Sequence, residues 1–150
     1  AELEFNFPVH EFQTRQLMEL STPDTPFHLQ KGKSWQGLMN GKIDFIGKQG
    51  EQFYLIDWKS NHLGYESASY NEPALQEAMD ANNYHLQYYI YLVALYKYLK
   101  GRLPDFEYDR HIGGVFYLFV RGIRSGASQG IFYRKPSHEQ LLQFMNILSI

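Results

Sequence analysis

Gly41-Lys42-Ile43-Asp44-Phe45-Ile46-Gly47 and, a few residues later, Gln52-Phe53-Tyr54-Leu55-Ile56-Asp57-Trp58-Lys59-Ser60 are two apolar, β-branched and aromatic runs that each carry one aspartate. Their composition predicts strands over 36–47 and 51–59, and the joint Lys48-Gln49-Gly50 is short enough for a hairpin. With the turn centred near Gln49, Gly50 and Glu51, Asp44 faces Asp57 and Lys42 faces Lys59. Side chains alternate along a strand, so Asp57 and Lys59 share a face, and directly opposed residues hold their Cβ atoms only ~4.5–5.5 Å apart.

Opposed carboxylates set between Ile43, Phe45, Leu55 and Ile56 repel one another and are costly to bury unneutralised. One reading supplies a divalent cation. Oxygen-only ligands with open positions suit Mg²⁺ or Mn²⁺, which take one or two carboxylates and leave places for water and phosphate oxygens. Lys59 beside such an ion would orient a water or help to deprotonate it and would stabilise charge, which outlines a phosphodiester hydrolysis site. The other reading lets both aspartates end their strands as surface ion pairs with Lys42 and Lys59, and a register slip of one residue would move an aspartate to the opposite face. Spacing alone leaves both open.

Outward from the hairpin, residues 3–9 alternate like a strand that Pro8 should end, 10–20 suit a short helix, and the Pro-, Ser- and Thr-rich stretch before Trp35 is a loop. Residues 61–72 are a polar connection. Helices are expected over about 73–80 and 83–100, the longer one capped by Asn82 or Asn83 and stopped by Gly101. The run 113–121 (GGVFYLFVR) suits a strand buried on both faces, IFYRK a short strand, and 138–149 a helix capped by Ser137 with Glu139 and Gln140 in its first turn. The order predicts one α/β domain over 1–150, a central mixed β-sheet flanked by helices.

At 150 residues the chain is large enough to bury a core, and 44% hydrophobic with 17% aromatic residues argues against disorder. The absence of Cys excludes a disulfide scaffold and a thiolate metal site and points to a cytoplasmic setting. No apolar run approaches the ~20 residues of a membrane helix, and no signal peptide is visible. The chain opens at Ala1 without an initiator Met, as a fragment of something longer would. A net charge of −2 gives no global support for gripping DNA by its phosphates, so any DNA contact has to be local.

The pattern Asp44, then Ile56-Asp57-Trp58-Lys59, resembles the PD-(D/E)XK nuclease signature. Gln87-Tyr88-Tyr89-Ile90-Tyr91 matches the Q-x-x-x-Y element of the RecB-like branch, with Gln87 and Tyr91 on one helix face. GKIDFIG, YLIDWKSNHLG, YHLQYYIYLVALYKYL, HIGGVFYLFVRGI and GIFYRKPS together resemble the carboxy-terminal nuclease domain of the RecB family over roughly residues 36–136. The resemblance implies a restriction-endonuclease-like fold and a Mg²⁺-dependent exonuclease and endonuclease of the exodeoxyribonuclease V type, with Mn²⁺ as a substitute and Ca²⁺ as a non-catalytic occupant. It also implies DNA single strands fed by a helicase, the other subunits of a RecBCD-type complex as partners, and work in double-strand-break repair and degradation of linear DNA. Carried over, Asp44 and Asp57 are metal ligands, the Trp58 main-chain carbonyl is a further one, Lys59 is the catalytic lysine, and Gln87 and Tyr91 support the site. A family glutamate on the preceding strand falls to Glu2, with Glu4 as its rival on the same face. The family's upstream His ligand has no counterpart in context, since neither His10 nor His28 fits, and this implies a ligand from beyond the chain.

Other signals are weaker. Gly32-Lys33-Ser34 ends like a phosphate-binding loop but lacks the earlier glycine, Phe27 standing in its place. His62 and His85 flank the hairpin and read as ordinary hydrogen-bonded histidines. Ser60 and Asn61 either cap the turn or contact a phosphate. Tyr84, Tyr88, Tyr89, Tyr91, Tyr96 and Tyr98 read as core packing ahead of base stacking. Arg121, Arg124, Arg134 and Lys135 are expected to cluster near the last strands, as a phosphate-guiding patch or a solvated rim.

Overall fold

The computed structural model describes residues 2–150. Six strands and five helices follow in the order β1 (Leu3–Gln13), α1 (Thr14–Met18), β2 (Ser34–Ile43), β3 (Phe45–Gln49), β4 (Gln52–Lys59), α2 (Glu72–Ala81), α3 (Tyr84–Arg102), α4 (Tyr108–His111), β5 (Ile112–Phe119), β6 (Ile131–Arg134) and α5 (His138–Leu148). β3-β4-β5-β6 form a four-stranded mixed sheet, and β1-β2 form a separate antiparallel ribbon. A mixed sheet flanked by helices is compatible with the PD-(D/E)XK nuclease fold.

The hairpin register is as the spacing requires. Phe45 pairs with Ile56, Ile46 with Leu55 and Gly47 with Tyr54, the ladder closing at Gln49 opposite Gln52. The loop is Gly50-Glu51, shorter than the Lys48-Gln49-Gly50 joint expected, because Gly50 takes a left-handed φ of 61° that a two-residue turn demands at its first position. The first run is not one strand, however. It bends at Asp44, after which the preceding residues pair with β1, Leu3 opposite Ile43 and Glu4 opposite Lys42. Lys42 therefore does not face Lys59; its ammonium is 2.9 Å from the Glu2 carboxylate.

β1 also corrects the expectation of a strand ending at Pro8 and a helix over 10–20. The strand runs through Pro8, opposite Leu38, and on to Gln13 opposite Ser34. In a two-stranded ribbon half the backbone groups point away from the partner, so a missing N–H is tolerated there. Only Thr14–Met18 turn helical, with the Gln13 and Gln16 side chains closing a capping box.

β4 and β5 run parallel, Asp57 level with Tyr117 and Lys59 level with Phe119, joined by the α2-α3-α4 crossover. β5 is almost wholly buried, which matches its unbroken apolar sequence. α3 packs across this sheet with Tyr88, Leu92, Val93 and Leu95 fully buried. It continues through Gly101 to Arg102, because nothing at Gly101 forces a left-handed exit; Leu103, extended ahead of Pro104, ends it. Asn83 precedes it in a left-handed conformation, φ 59°, and caps no helical N–H. α2 is capped by Asn71, which accepts from the Ala74 N–H, and α5 by the Ser137–Gln140 box.

Candidate active site

The site lies at the carboxy-terminal ends of β4 and β5, the usual place for a ligand beside parallel strands. Asp57 and Lys59 point from the same face of β4 towards α3. Asp57 is 6% exposed, and its carboxylate oxygen stands 3.1 Å from the Lys59 ammonium, whose side chain is 14% exposed. Lys59 Nζ also donates to Gln87 Oε1 at 3.1 Å, and the Tyr117 hydroxyl donates to the same oxygen at 2.7 Å. The Lys59 ammonium sits 4.1 Å from the centroid of the Tyr84 ring and 5.3 Å from that of Tyr117.

Burial pushes the Asp57 carboxyl up from its ordinary range; Lys59 opposes that shift and Asp44 adds to it. Asp44 is exposed at the bend between β2 and β3. Tyr91, one turn beyond Gln87 and half-buried against Phe5 with ring centroids 6.0 Å apart, is likewise raised, by burial first and then by Asp57 and Asp44. Both carboxylates thus act electrostatically on Tyr91, and Lys59 opposes only part of the burial shift at Asp57.

These residues fit a divalent cation. The donors are all oxygens, a buried carboxylate on Asp57 with Asp44 near enough to act on it electrostatically, which is the chemistry Mg²⁺ accepts, and Asp44, Asp57 and the Trp58 main-chain carbonyl would hold it. β4 outruns β3, so among the described residues the stretch Asp57–Lys59 has a ladder partner on the β5 side alone. Among the described residues no cluster of three or more His, Asp or Glu side chains forms. Glu2 is exposed at the open end of β1; one further step along the ladder would set it level with Asp44, whereas Glu4 lies level with Lys42.

The remaining candidates separate. His85 is fully buried, 2.7 Å from Asp80 and 2.9 Å from the Tyr88 hydroxyl, and burial depresses its pKa. His62 is exposed against Tyr65, His10 is exposed on β1, and His28 is exposed with its backbone bonded both ways to Asn83. The four cations expected to cluster do not. Arg134 lies level with Val115, midway along β5, and is bonded to Asp24 and Thr25, whereas Arg121 follows the end of β5 and donates to the Ser60 carbonyl at 2.7 Å. The antiparallel β5–β6 pairing carries Arg134 back along β5, away from Arg121. Tyr88, Tyr89 and Tyr96 are core residues, in line with packing over stacking. Sequence reasoning missed Tyr117 and Tyr84 as members of the site. The signals were available: Tyr117 is a hydroxyl inside a buried strand, and Tyr84 shares a helical stripe with Gln87 and Tyr91.

No family model matches the chain. Comparison with known proteins finds relatives described as "RecBCD enzyme subunit RecB". One from Haemophilus influenzae is 43% identical over 108 residues, 72% of this chain and 9% of the relative. One from Escherichia coli is 37% identical over 146 residues, 91% of this chain and 12% of the relative. One from Mycobacterium tuberculosis is 35% identical over 121 residues, 75% of this chain and 11% of the relative. The chain therefore spans about a tenth of the length of these relatives. With most of its own length aligned to RecB subunits and a fold compatible with the nuclease architecture, the chain belongs to the RecB family.

Proposed function

We propose that this chain is a single divalent-metal-dependent deoxyribonuclease domain that hydrolyses phosphodiester bonds of DNA. It works inside a RecBCD-type helicase–nuclease assembly in the cytoplasm, in double-strand-break repair and degradation of linear DNA. The observation that carries the reading is the buried Asp57–Lys59 pair, backed by Gln87, with Asp44 near enough to act on Asp57 electrostatically. A carboxylate whose charge is net disfavoured by its surroundings costs stability unless a ligand recruits it.

Asp44, Asp57 and the Trp58 carbonyl are the groups that would hold Mg²⁺ or Mn²⁺, with Ca²⁺ as a non-catalytic occupant. The chemistry a bound divalent ion supplies is Lewis acidity towards the scissile phosphoryl group. The residues of the chain do the rest. The Lys59 ammonium, held by Gln87 and Asp57, would offset negative charge developing on phosphoryl oxygens and orient the attacking water. Tyr91, half-buried one turn beyond Gln87, would lend its hydroxyl side of α3 to the site. Glu2, from the end of β1, completes the acidic rim. Arg121, Ser60 and Asn61 extend beyond Lys59 at the strand ends, where a DNA strand delivered by the helicase would meet phosphate donors.

The test is calorimetric titration of Mg²⁺ beside cleavage of single-stranded DNA, on this chain and on a longer version extended upstream. Metal-dependent cleavage that Lys59→Ala reduces by about a hundredfold or more is expected, in keeping with loss of one positioned charge. Binding of partner subunits with neither metal heat nor cleavage in the extended version would favour a catalytically silent interaction module.

A further inference from the structure

Lys59 presents a problem that the ion pair does not solve. If Asp57 is engaged by a metal, its charge no longer serves the lysine, and a flexible four-carbon side chain needs other walls to stay aimed. One wall is Gln87 Oε1. Another is the Tyr84 ring, at 4.1 Å the nearer of the two aromatic faces beside the ammonium.

We infer that Tyr84 is a positioning residue of the nuclease site, whose ring face holds the Lys59 ammonium in place by a cation–π contact. This rests on the reading of Lys59 as the catalytic lysine. The ring is itself fixed at three points. Its hydroxyl donates to Asn61 Oδ1 at 3.2 Å, tying the first turn of α3 to the loop that follows β4. Its face packs on Tyr117, centroids 5.6 Å apart. Its backbone is aimed by the left-handed Asn83, whose side chain accepts from the His28 N–H at 3.0 Å and donates to the His28 carbonyl at 2.8 Å. Asn83 thus spends on the loop before β2 the side chain that would otherwise cap α3. Left-handed backbone in a non-glycine residue persists only when its surroundings hold it, and here they set the angle at which α3 presents Tyr84, Gln87 and Tyr91 as one stripe. Tyr84 lies outside the Gln87–Tyr91 motif, and its chemistry towards Lys59 is that of the ring, not the hydroxyl.

The experiment compares Tyr84→Phe and Tyr84→Leu in the full chain, assembled in its complex, by Mg²⁺-dependent cleavage of single-stranded DNA, alongside Asp57→Ala. A parallel readout on the full chain labelled at lysine follows the Lys59 ε-methylene protons by NMR. The wild type and Tyr84→Phe should show these protons displaced upfield by the ring, and Tyr84→Leu should show the displacement reduced to what the more distant Tyr117 ring leaves. Tyr84→Leu should lower kcat about tenfold with KM for DNA held within about twofold, and Tyr84→Phe should stay within about twofold in both, as a largely desolvated cation–π contact implies. Unchanged kcat in Tyr84→Leu beside an inactive Asp57→Ala overturns the Tyr84 role and leaves the nuclease site standing. An equal loss in Tyr84→Phe, or a change confined to KM, also overturns it. Full cleavage by Asp57→Ala overturns the nuclease site and this role with it.

Discussion

Gln87→Leu separates what holds the site together from what makes it work. In the native structure Gln87 Oε1 takes two donors, the Lys59 ammonium at 3.1 Å and the Tyr117 hydroxyl at 2.7 Å. Leucine fills similar space and accepts neither. Lys59 retains Asp57, but the Tyr117 hydroxyl belongs to a residue only 1% exposed and loses its acceptor. Leaving one buried donor unmade costs about 1–3 kcal/mol, which for a domain of this size lowers Tm by roughly 2–12 °C. Adding Tyr117→Phe removes the orphaned hydroxyl, and replacing both partners of a buried hydrogen bond by apolar groups is close to neutral, so the double variant should regain at least about half of the lost Tm. Cleavage should behave otherwise. Both variants leave the Lys59 ammonium without its carbonyl anchor, so kcat should fall about tenfold or more in each and not recover in the double variant. Thermal melts by circular dichroism and single-strand cleavage assays read the two effects. A double variant that melts at the sum of the single losses, or one that regains turnover with stability, would refute the shared-acceptor arrangement.

Two further outcomes follow from the same geometry. The Asp57 carboxyl is raised by burial, so between the ordinary carboxylate range and its raised value the folded state binds the extra proton. Stability from this group therefore declines as pH rises through that window, and in metal-free buffer Asp57→Asn should raise Tm more at pH 8 than at pH 4, as differential scanning calorimetry would report. His85→Leu should cost about 1–3 kcal/mol in denaturant unfolding by deleting ring contacts to Asp80 and Tyr88, yet leave kcat within about twofold, because that ring bonds to α2 and α3 side chains and not to Asp57, Lys59 or Gln87.

Much of the site was readable because one local rule generates it. A two-residue turn at Gly50-Glu51 fixes the hairpin register, and alternation along β4 puts Asp57 and Lys59 on one face. Gln87 and Tyr91 follow from helical spacing in the same way. The bend at Asp44 was not readable, because Ile43 and Phe45 are equally good strand formers. What divides them is pairing with β1, a contact forty residues away in sequence. The roles of Tyr117 and Tyr84 depend on the parallel pairing of β4 with β5 and the seating of α3 across it, neither of which leaves a periodic trace. The scattered arginines show the same limit: Arg121 and Arg134 are near in sequence, but the chain reverses between β5 and β6 and carries them apart.

The central claim is that Asp57 is the buried ligand around which the nuclease site is built. Its most direct measurement is Mg²⁺-dependent cleavage of single-stranded DNA by Asp57→Ala within the assembled complex, with circular dichroism on the same preparation. The account predicts loss of cleavage by about three orders of magnitude or more with the fold intact. A folded Asp57→Ala that still cleaves at the wild-type rate would contradict it.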